Sequence, residues 1–223
     1  MMKRQKPQIA MNMNNTESIL DVMIKADIEE CDVNGFHFFD ETVEGLNVSD
    51  MDISGCVFVN CKFRNCIFEG VSFSNCLFKD CDLSFINLSQ GTISRTEIIE
   101  SRLTGVNLTY GILNNVLVKS TPCRFANFSE ARISSTEFVA CDMNSCSMDK
   151  CRIKQTEFVQ CDLTGTNFTR TALKGIDLRG NRIHGIIVFG GELDGATVST
   201  GQAVDLVKLM GVNVEDKMAK KTN

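Results

Sequence analysis

Every fifth residue of this chain is apolar, without a break, from Met23 to Val198. The one unusual occupant of these positions is Cys123. An α-helix places its apolar residues three and four apart and a β-strand alternates every two residues, so neither element produces a period of five. The period therefore predicts a unit that turns a corner every five residues and repeats along the chain.

The cysteines follow the same rhythm. The chain has 11 cysteines, and ten of them lie two residues before an apolar centre. Other repeats carry Ala, Ser, Thr, Val or Gly at this position, and free Cys acts as a small apolar residue in a tight interior. We therefore predict reduced, buried thiols. We expect no metal at Cys56, Cys61, Cys66, Cys76 and Cys81, because their spacing of five is that of the repeat and short CxxC hooks are missing.

Charge and hydropathy exclude two classes of activity. The chain has 28 acidic and 23 basic residues, a net charge of −5, which disfavours direct nucleic-acid binding. The N-terminus has no apolar leader, and no apolar run is long enough to span a bilayer. We therefore expect a cytoplasmic protein without a membrane segment.

No catalytic constellation is visible. The two histidines, His37 and His184, take outward positions far apart along the repeat, and the common nucleotide-binding and nucleophile motifs are missing. We therefore predict no catalytic residues, no metal, no cofactor and no enzymatic activity.

The repeating unit has a small residue at i−2, often Asn or Asp at i−1, Leu, Phe or Ile at the centre i, and Gly or a polar residue at i+2. CDLTG at 161–165 and TNFTR at 166–170 show this pattern. The sequence resembles the pentapeptide repeat family, whose unit is A(D/N)LXX. The resemblance implies an all-β solenoid, a right-handed quadrilateral β-helix with four pentapeptides per coil and about nine coils.

We predict four segments along the chain. Residues 1–20 form a flexible N-terminal segment and possible cap, and the side chains of Ile19, Leu20, Met23 and Ile24 could cover the first coil. Residues 21–200 form the β-helix, 201–214 a C-terminal helix, and 215–223 a disordered tail. The helix resembles that of the quinolone-resistance (Qnr-type) members of the family, which implies a homodimer through Val204, Leu206, Val207, Leu209 and Met210.

Residues twenty apart should stack in columns, and one face of the rod then combines acids with apolar residues. An apolar patch rimmed by charge is typical of a partner interface, although β-branched residues also simply suit an outward strand. The predicted partner-binding residues are Phe39, Val57, Val59, Leu77, Glu97, Ile99, Glu100, Leu117, Glu137, Val139, Glu157 and Val159.

Two functions are compatible with such a rod. The resemblance to Qnr-type proteins implies a DNA mimic that binds a type II topoisomerase, DNA gyrase or topoisomerase IV, and modulates it or protects it from quinolones. The unbroken phase departs from the inserted loops of many Qnr-type members. The alternative is an interaction scaffold that binds an unidentified protein through the apolar acidic face.

Overall fold

The repeat folds into a parallel β-solenoid. The computed structural model describes residues 4–9, 17–209 and 211–215. Each strand residue pairs with the residue twenty positions later, as in Val33 with Ile53 and Ile53 with Phe73. The same offset extends to the bridge between Asp177 and Thr197. Four pentapeptides therefore make one turn, as the family resemblance implied.

Two ladders of short strands share the corner-turning strands β13 and β14, and a third ladder is a single pair. One ladder runs β1-β4-β7-β9-β11-β13, the other runs β2-β5-β8-β10-β12-β13, and β3 pairs with β6. Within the described residues the strands are β1 (Val33–Asn34), β2 (His37–Phe39), β3 (Thr42–Glu44), β4 (Asp52–Ser54), β5 (Val57–Val59), β6 (Lys62–Arg64), β7 (Ser72–Ser74), β8 (Leu77–Lys79), β9 (Thr92–Ser94), β10 (Glu97–Ile99), β11 (Ile112–Asn114), β12 (Leu117–Lys119), β13 (Arg132–Val139) and β14 (Arg152–Val159).

The solenoid has about six regular turns, fewer than the nine coils predicted. The first predicted repeats form a helix instead, and beyond β14 the turns are held by isolated bridges such as Asn167 with Ile187.

The corners have one backbone conformation. Every fifth residue from Glu30 to Gly195 has a positive φ. Residues with a Cβ adopt this left-handed conformation at a cost of roughly 1 kcal/mol or more, whereas Gly does so freely. This explains why Gly recurs at i+2 and why the chain turns once per pentapeptide. Three large aromatic residues, Phe85, Tyr110 and Phe125, also occupy corners and are exposed.

The apolar centres stack into continuous internal columns. The ring centroid of Phe58 lies 5.3 Å from that of Phe38 and 4.7 Å from that of Phe78. Phe63 and Phe73 meet the Phe58 ring edge to face. Each turn thus buries its centres against the turns on both sides.

The small inward position also acts as a hydrogen-bond donor. The Cys81 Sγ donates to the carbonyl of Phe58 at 3.3 Å, and the Ser101 Oγ makes the equivalent contact to Phe78 at 3.4 Å. Thr166 donates in the same way to the carbonyl of Met143 at 2.8 Å. Cys, Ser and Thr are therefore interchangeable because all three are small and all three donate a hydrogen bond. The prediction from residue size did not include this hydrogen bond.

All 11 cysteines are free, and ten are buried. Burial raises the pKa of the Cys56 thiol to about 11 and the pKa values of Cys146 and Cys151 to about 12. Cys31, predicted to point inward, is exposed because it follows the N-terminal helix rather than a strand.

The N-terminal cap is the helix α1 (Ile19–Glu29). Ser18 begins it by accepting a hydrogen bond from the Asp21 N–H at 3.1 Å, and the Glu41 carboxylate accepts the Ile19 N–H at 2.8 Å. Ile19 and Met23 are buried, but Ile28 is 75% exposed. The prediction that the repeat begins at residue 21 is therefore wrong, because Met23 and Ile28 keep the phase only by coincidence.

Only part of the predicted N-terminal cap packs on the first turn. Leu20 and Ile24, two of the four residues proposed for this role, are exposed. They lie on the solvent side of α1, opposite the face that carries Ile19 and Met23.

The C-terminal end is closed by the predicted helix. After a 3-10 turn at Gly191–Leu193, the helix α2 spans Thr200–Leu209. The Gln202 side chain donates to the carbonyls of Leu178 at 2.7 Å and Asn181 at 2.9 Å. Leu206 packs into the core. These contacts fasten α2 to the last turn of the rod.

Candidate protein-interaction face

The predicted partner-binding residues lie together on one side of the solenoid. The strand register aligns them in two columns, with Glu100 at the adjacent corner. The first column contains Val57, Leu77, Glu97, Leu117, Glu137 and Glu157, and the second contains Phe39, Val59, Ile99, Val139 and Val159. We call these residues the acidic face. Lys79 and Lys119 interrupt the second column.

Two acids of this face are direct neighbours. Glu137 pairs with Glu157 in the register of β13 and β14, beside the apolar pair of Val139 and Val159. Neighbouring strands lie about 4.8 Å apart, and like charges in adjacent positions destabilise a sheet. The pair therefore places two carboxyl groups on neighbouring strands of the face.

The two columns differ in exposure. The first column is half-buried throughout, apart from the fully buried Val57. In the second column Phe39 and Val159 are exposed, whereas Ile99 and Val139 are half-buried. The side chains of the second column are thus more accessible to a partner than those of the first.

Residues 4–9, which we call the N-terminal arm, lie against one edge of the acidic face. The Arg4 guanidinium contacts the Glu97 carboxylate at 2.6 Å, and the Arg4 side chain is only 6% exposed. The Gln5 N–H donates to the Asn115 side chain at 2.9 Å, and the Gln8 N–H donates to the Asn75 side chain at 3.3 Å.

These contacts were not predicted, because residues 1–20 were expected to be flexible. The available signal was modest. Asn75 and Asn115 occupy equivalent corners forty residues apart, and Pro7 favours an extended chain. Residues 1–3 and 10–16 of the predicted flexible segment lie outside the described residues.

The residues proposed for dimerisation divide into two groups. Val204 and Leu209 are exposed by 37% and 47%, and Val207 is half-buried. Leu206 is 8% exposed and belongs to the core of its own chain, so it is unavailable to a second copy. Met210 and residues 216–223 of the predicted tail lie outside the described residues.

The histidines, the possible metal ligands and the helices are the other features relevant to function. His184 is exposed as expected, but His37 is half-buried rather than fully solvated, because it begins the first column of stacked residues. Within residues 4–9, 17–209 and 211–215, no cluster of three or more His, Cys, Asp or Glu residues could hold a metal ion. In the same part of the chain, no helix combines the length and the apolar character that crossing a membrane requires.

Comparisons with known proteins identify the repeat. A family model described as "Pentapeptide repeat region" matches residues 118–187, and one described as "Pentapeptide repeats (9 copies)" matches residues 47–86. No curated protein matches the sequence.

Several solved structures have a similar arrangement. Full-length QnrB1, a plasmid-mediated fluoroquinolone resistance protein, is 18% identical, with 80% of this chain and 99% of that chain covered and a TM-score of 0.45. HetL, a pentapeptide repeat protein involved in heterocyst differentiation regulation in Nostoc, is 13% identical, with 78% and 92% covered and a TM-score of 0.27.

Proposed function

Because this chain is a pentapeptide repeat protein, we propose that it is a non-enzymatic interaction rod. Its acidic face binds a basic surface of a type II topoisomerase, DNA gyrase or topoisomerase IV, in place of DNA. The observation that carries this proposal is the stacked pair of Glu137 and Glu157. Two carboxylates in adjacent strands concentrate negative charge at one place on the face, and a cationic partner complements that charge.

The arrangement of the acids supports recognition of an extended basic surface. Glu97, Glu137 and Glu157 belong to one straight column, and the corner of Glu100 lies beside it. Carboxylates repeated along a rigid rod present a one-sided negative field. Such a field steers a basic partner and competes for the surface that would otherwise bind phosphates. The partner would be modulated or protected from quinolones by this competition.

A supercoiling assay with DNA gyrase, with and without a quinolone, tests the proposal. The test variant carries Glu97→Lys, Glu100→Lys, Glu137→Lys and Glu157→Lys. The matched control carries Glu29→Lys, Asp32→Lys, Glu44→Lys and Asp52→Lys, which are exposed acids outside the acidic face. Both variants undergo the same change in net charge. We expect the effect on gyrase to be lost in the first variant and kept in the control.

Two results would refute the topoisomerase proposal. One is a native chain at micromolar concentration that neither inhibits supercoiling nor protects gyrase. The other is an equal loss of effect in the two charge variants, since overall charge rather than the acidic face would then be responsible.

The alternative function is a scaffold that binds another protein mainly through apolar contacts. The pair of Val139 and Val159, with Phe39 exposed further along the column, favours this alternative. Apolar contacts are much less sensitive to ionic strength than exposed charge pairs. Binding that persists at 0.5 M salt, where the Debye length is only about 4 Å, would favour the scaffold over a DNA mimic.

We further propose a homodimer in which Val204, Val207 and Leu209 of α2 meet a second copy. Their exposure at the end of the rod supports this assembly. The free thiols fit a reducing compartment such as the cytoplasm.

A further inference from the structure

The N-terminal arm lies on one edge of the acidic face, and we call this edge, formed by Asn75, Glu97 and Asn115, the groove. The solenoid backbone on this side is already paired between turns. The arm is held instead by side chains of the rod, namely Asn75, Glu97 and Asn115. These three groups are acceptors that face outward from a rigid scaffold.

The spacing of the acceptors matches an extended chain. Asn75 and Asn115 lie two turns apart, which corresponds to roughly 9.6 Å at the usual distance between strands. The N–H groups they accept belong to Gln5 and Gln8, three residues apart. A polyproline II chain repeats every three residues and rises about 9.3 Å over that length, so the same side of such a chain meets both asparagines. Pro7, between the two donors, favours this conformation.

Arg4 supplies the charged contact of the arm. Its guanidinium contacts Glu97 at 2.6 Å and is almost completely buried. The Arg4 Nε has no hydrogen-bond partner among the described residues. An unpaired buried donor makes this occupant an imperfect ligand. A different segment, whose own arginine also formed a hydrogen bond through its Nε, would bind more tightly than the arm.

We propose that this groove is a receptor for an extended, arginine-bearing segment of a protein partner, and that residues 4–9 occupy it in cis as a competing ligand. The proposal deepens the proposed function, because the partner is taken to bind the acidic face. Glu97 belongs to that face and to the groove at once. The arm must therefore leave before a partner arginine can reach Glu97.

The test uses the full chain and a fluorescent peptide, RQKPQI, that reproduces residues 4–9. One chain carries Arg4→Ala and Gln8→Pro, which remove the charged contact and one N–H donor of the arm. The matched control chain carries Lys6→Ala, because Lys6 is exposed in the arm. Fluorescence anisotropy measures binding of the peptide as the concentration of the chain is raised to the millimolar range. This range corresponds to the effective concentration of an arm tethered to its own binding site.

We expect the Arg4→Ala, Gln8→Pro chain to bind the peptide saturably, and the native and Lys6→Ala chains to bind it about tenfold more weakly or worse. Adding Glu97→Gln to the released chain should weaken binding by about tenfold, the usual effect of losing one charge-assisted hydrogen bond. Adding Glu44→Gln, which changes an exposed acid outside the acidic face, should leave it unchanged. A peptide with Arg4→Ala should bind the released chain weakly. Its affinity should equal that of the unaltered peptide for the released chain with Glu97→Gln.

Hydrogen exchange on the native chain provides a second measurement. The Gln5 and Gln8 amides should exchange at least about tenfold more slowly than the same amides in the free peptide. The proposal is overturned if these amides are unprotected, if the released chain shows no saturable binding, or if Glu44→Gln weakens binding as much as Glu97→Gln. No topoisomerase enters these assays, so a failure here is distinguishable from a failure of the proposed function.

Discussion

Replacing the buried hydroxyl of Thr171 tests whether the small inward position needs a donor and acceptor as well as a small volume. Thr171 is fully buried; its Oγ1 donates to the carbonyl of Met148 and accepts the N–H of Cys151 at 2.8 Å. Thr171→Val keeps the shape but removes both bonds. The Cys151 N–H then keeps only a long contact of 3.4 Å to the Met148 carbonyl.

We expect Thr171→Val to lower the free energy of unfolding by about 1–3 kcal/mol, the cost of leaving a buried polar group unsatisfied. Thr171→Ser, which keeps the hydroxyl and loses one methyl group, should cost about 1 kcal/mol. Thr171→Cys should fall between these two, because a thiol is a weak donor. Urea unfolding followed by circular dichroism gives the three values.

The control is Thr92→Val, which changes an outward, half-buried threonine of β9 and should shift stability by less than about 0.5 kcal/mol. The reasoning is refuted if Thr171→Val is as stable as the native chain while Thr171→Ser is destabilised. In that case volume alone would set the residue at this position.

Two further predictions concern the thiols and the C-terminal helix. Burial raises the pKa of Cys56 to about 11 and those of Cys146 and Cys151 to about 12, from an ordinary value of 9.0. The thiols of the unfolded chain therefore ionise first as the pH rises, so stability is fully present below pH ~9 and falls above it by up to about 1.4 kcal/mol per pH unit for each thiol. Urea unfolding at pH 8, 9 and 10 should show this decline, and Cys151→Ser should make it shallower; a flat profile would contradict the burial of these thiols. At the C-terminus, Leu206→Ala should lower the free energy of unfolding by about 2 kcal/mol or more, whereas Leu209→Glu should leave it nearly unchanged and halve the mass measured by light scattering. An unchanged mass for Leu209→Glu, and for a chain truncated before Gln202, would remove the proposed dimer.

The period of five predicted the solenoid because one backbone event, a left-handed corner, recurs at every fifth residue. It could not predict where the solenoid begins. Met23 keeps the phase, yet it lies in α1, where Ser18 and Glu41 supply the helix start. A period of five cannot distinguish an apolar residue at a repeat centre from an apolar residue on a helix face. Only the groups that cap the helix start show which of the two is present.

The acidic face was predictable for a related reason. Once residues twenty apart are known to stack, its columns follow from counting, and the pairing of Glu137 with Glu157 agrees with that count. The arm could not be found in this way. Its contacts join Gln5 to Asn115 and Gln8 to Asn75, pairs separated by 110 and 67 residues, and no local rule or period connects them.

The repeated corners hold outward side chains at fixed distances along the rod. Each corner has a positive φ whether it carries Gly, Asn or an aromatic residue such as Phe85. A corner side chain can therefore change without altering the path of the chain. Two asparagines two turns apart accept donors three residues apart in a bound segment. Moving one asparagine by a single turn, about 4.8 Å, would remove the match with a segment that repeats every three residues, about 9.3 Å.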